Sequence, residues 1–182
     1  IGAFKGVDFF ALKMIDFSDR KKIDGAGDAV LRGGVGYRLG TLENDLGVFN
    51  VSRNVFGACA GAALYRRSMF ERVGLFDEDF FAYLEDVDLN MRAVRSGRGC
   101  RYLPGAKVYH IGSASSGPKI NSFTVRPSTR NNLLVIFKNY SLMMFLRFLP
   151  AIVVYQFFWL LLVVKKKQFP AYLAGLFQGL TM

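Results

Sequence analysis

FFAYLEDVDLNMRAVRSGRGCRYLPGAKVYHIG, residues 80–112, is the stretch on which the reading of this chain turns. Its middle is helical. Val87, Met91 and Val94 fall at i, i+4 and i+7, acids occupy the first turn, Arg92 and Arg95 the last, and Gly97 ends it, as the macrodipole prefers. CRYLPGAKVYHIG then reads as a strand, a Pro-Gly turn and another strand. Before the helix, aromatic residues run straight into Glu85, Asp86 and Asp88, and Asp77, Glu78 and Asp79 stand just upstream. Acids are costly beside apolar surface unless something pairs with them or uses them. Helix capping and surface charge account for one or two of the six. Carboxylates brought out of an apolar layer of FFAY at a helix start also suit metal coordination or a general base.

Outward from there, residues 1–50 are strand-and-loop in character. VDFFALKMIDF, 7–17, suits a half-buried strand or two, and the glycine-rich DGAGDAVLRGGVGYRLG, 24–40, requires several turns. VFGACAGAALYRR, 55–67, reads as one buried strand whose glycines allow close approach to the backbone. SMFERVGLF, 68–76, reads as a short helix opened by Ser68 with Glu71 at capping-box spacing and stopped by Gly74. SASSGPKINS, 113–122, is a polar loop, and TRNNLLVIFKNY, 129–140, begins a helix. DGAGDAVLRGG resembles the anion-hole signature of ribokinase-like sugar kinases, but it stands near the N-terminus with no room upstream for a sugar site, so a glycine-rich turn explains it as well. GVGYRLG is too loose for a dinucleotide fingerprint. His110 is the only histidine, and at a strand end it is either structural or placed to offer a nitrogen to a metal.

Charge is unevenly spread. The 14 acids all lie within residues 1–88, alongside 11 of the 24 basic residues, so the remainder of the chain is basic throughout. A basic half favours an anionic partner: a membrane surface, a phosphorylated ligand or nucleic acid. FLPAIVVYQFFWLLLVV, 148–164, carries no charge and is followed by Lys165–Lys167. It is marginal in length for a membrane span, adequate for an interfacial helix, and its lysines suit an anionic cytoplasmic leaflet. A buried core helix is the alternative. Nucleic acid is disfavoured, because aromatics and lysines do not interleave in a stacking pattern. Cys59 and Cys100 match no metal spacing and no disulfide framework, which fits a reducing compartment. The N-terminus has no leader pattern and no initiator Met, so the chain is expected to be a piece of a longer protein.

Residues 57–115, GACAGAALYRRSMFERVGLFDEDFFAYLEDVDLNMRAVRSGRGCRYLPGAKVYHIGSAS, resemble the C-terminal half of the catalytic domain of family 2 glycosyltransferases, closest to rhamnosyltransferase-like enzymes of cell-surface polysaccharide synthesis. IDGAGDAVLRGGVGYRLG, 23–40, and TRNNLLVIFKN, 129–139, resemble segments of the same subgroup. The resemblance implies an α/β, Rossmann-like GT-A fold, here partial. Residues 1–140 would form its acceptor-side half and 141–182 a helical membrane-associating segment. It implies an inverting transfer of a sugar from a nucleotide-sugar donor to a hydroxyl of a glycan or lipid-linked acceptor, at the cytoplasmic face of the inner membrane. Asp86 then carries over as the base, ionised by the helix N-terminus, with Glu85 orienting it or holding acceptor, while Asp88 is first-turn structure. His110 would complete a Mg²⁺ or Mn²⁺ site. Arg130, with Arg126 or Lys119 as substitutes, would meet the diphosphate, and Gly57, Ala58 and Cys59 would wall the donor sugar. The family's metal-binding Asp-x-Asp does not precede the matching region. The only such spacings, Asp77–Asp79 and Asp86–Asp88, lie within the acidic stretch. This chain alone is therefore expected to be inactive, and a non-catalytic membrane-peripheral scaffold of the same fold is the alternative.

Overall fold

The computed structural model describes Phe4, residues 6–112, Gly117 and residues 120–182. The chain divides into two compact units. The first comprises the chain up to Ala29, Gly36–Phe76 and Asp86–Gly112. At its centre is β1, Val7–Asp16, buried along most of its length. Two short strands, β2 (Ile23–Gly25) and β6 (Ala63–Tyr65), pair antiparallel with successive stretches of β1, while the long β7 (Gly99–His110) runs parallel to it. β5 (Arg53–Val55) closes the far edge against β7. A strand enclosed on both sides needs few polar side chains, which is why VDFFALKMID reads as a nearly continuous apolar run. Its one cation, Lys13, is fully buried and is compensated by Asp45 at 2.6 Å and Asn50 at 2.7 Å. A separate hairpin is made by β3 (Asp28–Leu31) and β4 (Val35–Arg38).

Two helices complete this unit's core, α1 (Arg67–Val73) and α2 (Glu85–Arg95). Met69 of α1 and Leu89 and Ala93 of α2 pack with Phe9, Ile23, Phe49 and Tyr102, whose hydroxyl donates to the Phe49 carbonyl. Several local expectations are corrected here. Pro104–Gly105 does not turn the chain. The ladder with β1 passes from Leu12↔Leu103 to Lys13↔Lys107, so residues 104–106 bulge out of one continuous strand, as a proline without an N–H permits. Residues 55–67 are not one strand but the end of β5, a 3₁₀ turn over Ala60–Ala62, and β6. Helix α1 begins two residues earlier than a Ser68 cap would allow, with Arg66 at the N-cap, and Glu71 pairs with Arg67 instead, although Gly74 does end it with φ 80°. Val94 is 41% exposed, whereas Asp88 and Asn90 turn inward. Polar partners make that possible: Arg92 donates to Asp88 at 2.8 Å, and Asn90 bonds the Ala58 backbone.

The second unit holds Val30–Val35, Asp77–Glu85 and the chain after Gly112. Most of the polar loop expected at 113–122 lies outside the described residues, Lys119 included. Helix α3 (Ser122–Asn139) starts seven residues before Thr129, at a capping box in which Asn121 and Thr124 satisfy each other's backbone N–H groups. It is followed by α4 (Leu142–Lys165) and α5 (Phe169–Thr181). The reading that divided the chain at 140 grouped α3 with the residues before it; in the structure α3 and α5 lie in close contact. A Cβ at Gly175 would sit 2.3 Å from the Arg126 carbonyl, so only glycine lets the two backbones approach so far. Val125, Val163 and Tyr172 fill the space among the three helices, and the Trp159 indole donates to Thr129 at 2.9 Å. Helix α4 is the one described helix long and apolar enough to cross a membrane, and 11% of its apolar stretch is buried within the chain. That exposure argues against the core-helix alternative.

Candidate functional site

The acidic stretch is delivered by a strained turn. Glu78–Phe80 form a 3₁₀ turn capped by Asp77, after which Phe81, Tyr83 and Leu84 all adopt positive φ, at 58°, 70° and 66°. Left-handed backbone costs a bulky residue about 1 kcal/mol or more unless neighbours fix it. Here α3 fixes it. The Asn131 amide donates to the carbonyls of Phe80, Ala82 and Tyr83 at 2.8, 2.8 and 2.6 Å. Arg130 reaches the carbonyls of Asp79 and Phe80, both at 2.8 Å, and bonds the Asn131 side-chain oxygen. Lys138 pairs with Asp77 and Asp79. The aromatics are not a uniform packed wall. Phe80 is buried, but Phe81 is 82% exposed, because its backbone conformation turns it away from the core. Glu85, half-buried, opens α2.

One residue further on, Asp86 meets the small-residue segment. Its Oδ2 accepts from the Ala60 N–H at 3.2 Å, its Oδ1 from the Val87 N–H at 2.8 Å, and the Cys59 thiol donates to the carboxylate. Gly57 bridges to Asp28 through a backbone pair at 2.9 and 3.2 Å, and a Cβ on Gly57 would strike the Asn90 amide at 2.3 Å. Gly57, Ala58 and Cys59 are thus brought to Asp86, together with an acid outside the sequence-derived set. Ligand atoms of Asp28, Cys59 and Asp86 all lie within 4.8 Å of one another. Asp28 is 5% exposed, and its Oδ1 has no hydrogen-bond partner among the described residues.

Burial dominates the electrostatics. It pushes Asp28 up to about 7, with the Asp86 charge adding to the rise and Arg38 opposing it. It also raises Asp86 above the ordinary carboxylate range, against the Ala60 and Val87 N–H groups, the Cys59 thiol and Arg38. Burial thus works against the helix end that was expected to hold Asp86 ionised. Hydrogen bonding does favour the anion, but loss of water outweighs it and makes a stronger base. Burial likewise raises the Cys59 thiol, which stays protonated and able to donate. The trio has donors of a kind that metals accept. Yet both Asp86 oxygens and the thiol are already engaged in hydrogen bonds, so the group stands as a satisfied carboxylate beside a buried acid.

His110, at the end of β7, is not in that trio. Its Nδ1 lies 2.7 Å from Asp24 Oδ2, the oxygen that Arg38 also contacts. This carboxylate–histidine pairing leaves Nε2 without a hydrogen-bond partner among the described residues, the arrangement of many metal-ligating histidines. Arg130 belongs to the second unit, holding the strained turn. Neither Asp-x-Asp spacing is open to a cation by itself, since Lys138 takes Asp77 and Asp79 while Arg92 takes Asp88. The two acids that sequence reasoning did not single out beside these groups, Asp24 and Asp28, both stand in DGAGD. That motif does signal them, but its likeness to another family draws attention away from its acids.

The chain's similarity to known proteins is to a sugar-transferring class. A stretch of 61 residues, 34% of the chain, is 46% identical to a glycosyltransferase. The relative is the N-acetylglucosaminyl-diphospho-decaprenol L-rhamnosyltransferase of Mycobacterium tuberculosis, in strains CDC 1551 / Oshkosh and ATCC 25618 / H37Rv alike, and the match spans 19% of its length. No family model matches the chain.

Proposed function

We propose that this chain is the acceptor-side part of an inverting glycosyltransferase of GT-A type in family 2, working on a nucleotide-sugar donor and a glycan or lipid-linked acceptor. The observation that carries the reading is the setting of Asp86. Its carboxylate is fixed by two backbone N–H groups and a thiol, raised in basicity by burial, and walled by the small residues Gly57 to Cys59. A base so placed takes the proton of an acceptor hydroxyl while the oxygen bonds the anomeric carbon. The bond to the donor diphosphate breaks on the opposite face, and the diphosphate departs with the electron pair. Asp28 beside it, pushed up to about 7 by burial and by the Asp86 charge, keeps a proton through mildly acidic pH. Glu85, at the same helix start, orients the acceptor.

A divalent cation, Mg²⁺ or Mn²⁺, would supply charge neutralisation for the leaving diphosphate. Of this chain's residues, His110 fits that role through Nε2, with Asp24 and Arg38 fixing the ring. The unpaired apolar face of α4 and Lys165–Lys167 after it support work at the anionic cytoplasmic face of a membrane. The decisive variant is Asp86→Asn in the full-length protein. It should lower transfer by roughly 10²–10⁴-fold, the range for a general base, with donor binding retained in titrations. Near-normal turnover would remove Asp86 from the chemistry.

A further inference from the structure

Asp28 is a buried ionisable group with no part yet assigned in the transfer, and it stands on β3 in the first unit. Two close approaches place it. Its backbone bridges to Gly57. On the neighbouring strand β4, a Cβ at Gly36 would lie 2.3 Å from the Val87 side chain, so glycine lets the hairpin meet the first turn of α2. A carboxylate oxygen of Asp28 thereby comes within 4.8 Å of one on Asp86. Burial removes the solvent that would screen two such charges, so they do not both ionise readily. Arg38, the cation that faces Asp28, is shared with Asp24. The donors decide which acid keeps the proton. Asp86 accepts from the Ala60 and Val87 N–H groups and from the Cys59 thiol, all of which favour its anion. Among the described residues no donor reaches Asp28 Oδ1, which is enclosed by protein.

We infer that Asp28 is a positioning residue: it and Asp86 form one buried carboxyl pair that holds a single proton, kept on Asp28, so that Asp86 carries the charge. The inference rests on the role of base proposed above for Asp86. Burial and the Asp86 charge raise Asp28 to about 7, so the pair gives up its last proton near neutrality. The other titratable groups facing Asp28 add no charge there. Burial pushes the Cys59 thiol up to about 12 and raises Tyr65 and Cys100 as well. In the transfer, the acceptor hydroxyl gives its proton to Asp86, and the pair then holds two. It loses one to solvent before the next turnover, and Asp28 keeps its own throughout.

The test is carbon NMR of the whole chain in neutral detergent, labelled at aspartate Cγ and assigned through the backbone amides, across a pH titration. The Asp28 resonance should titrate with a midpoint near 7. The Asp86 resonance should move in two steps, the smaller one coinciding with the Asp28 midpoint, as coupled acids do. Asp86→Asn should lower the Asp28 midpoint by about one pH unit through loss of a neighbouring like charge. The two-step curve of the parent chain requires no variant, so the pair is tested even where a substitution prevents folding. Titration of Asp86 after Asp28 would overturn the assignment, and so would an Asp28 midpoint that Asp86→Asn leaves in place. The measurement reads no sugar transfer. A coupled pair with Asp86→Asn fully active would therefore sink the catalytic reading and leave the shared proton standing. Independent titration of the two acids, with Asp86→Asn inactive, would sink the pair and leave the base.

Discussion

Asp28 is the residue whose titration most directly reports the site. Its carboxyl is buried, one oxygen lacks a partner among the described residues, and its pKa is pushed up to about 7. In an unfolded chain it would ionise near 3.9. Between about pH 4 and 7 the unfolded state therefore gives up a proton that the folded state keeps, so stability from this group falls as pH rises and levels off above 7. Asp28→Asn removes that dependence. Its stability relative to the parent chain, measured by urea unfolding, should rise by roughly 2–4 kcal/mol between pH 4 and pH 8, since each tenfold change in proton affinity is worth about 1.4 kcal/mol. A difference that stays flat with pH would mean that Asp28 ionises like a surface acid. Asp86 was legible in the sequence as one of several acids at a conspicuous helix start, and the resemblance singled it out among them. Its partner was not, because Asp28 is 58 positions away and nothing local says that a backbone bridge to Gly57 brings them together.

At the scale of elements, α2 shows what local chemistry can and cannot specify. Its acidic first turn, basic last turn and Gly97 stop are all present as read, and Gly97 does take a positive φ of 73°. The inward turn of Asp88 and Asn90 was hidden, because it depends on Arg92 and on the Ala58 backbone rather than on periodicity. Hidden too was the lead-in, since phenylalanine, tyrosine and leucine carry no sign that they will adopt left-handed backbone. The same holds for Pro104–Gly105, where pairing of β7 with β1 on both sides overrides a local turn signal. The strained lead-in makes α3 the support of the turn that precedes Glu85. Asn131→Ala would leave the Ala82 and Tyr83 carbonyls without their donor, while Phe80 keeps Arg130, and each unmet buried group costs on the order of 1–3 kcal/mol. Partial exposure of Ala82 and Tyr83 lets water recover part of this. The expected loss is roughly 2–3 kcal/mol in urea unfolding. Asn131→Asp, which keeps the shape and loses the N–H groups, should lose about as much. Stability within about 0.5 kcal/mol of the parent in both variants, a typical neutral surface effect, would show that the turn holds itself.

For the whole chain, the division of charge and apolarity along the sequence was its plainest message, and the structure gives it a physical form. The apolar 148–164 segment extends to Leu142–Lys165, because Ser141 caps the helix by accepting from the Met144 N–H and the lysines finish the last turn. A helix of 24 residues is about 36 Å long, enough to cross a hydrocarbon core of about 30 Å with some tilt. Val153, Phe157 and Leu161 stand four apart and exposed, while Ile152 and Val163 are buried. An exposed stripe with a basic end fits an interfacial helix as well as a span, and the two modes respond differently to charge. Truncation at 141 would confound the question, because α5 packs on α3 through Gly175 and Gly179 and its removal uncovers that face. Replacing Lys165–Lys167 by glutamine leaves the packing alone. For an interfacial helix, three charges worth about 1 kcal/mol each should lower binding to phosphatidylglycerol vesicles by roughly 10²-fold, with binding to phosphatidylcholine unchanged. A spanning helix should keep its floated fraction on both vesicles after the same replacement, and it should resist alkaline carbonate. Removal by carbonate together with insensitivity to the lysines would rule out both modes and leave the apolar face of α4 as a surface for another protein.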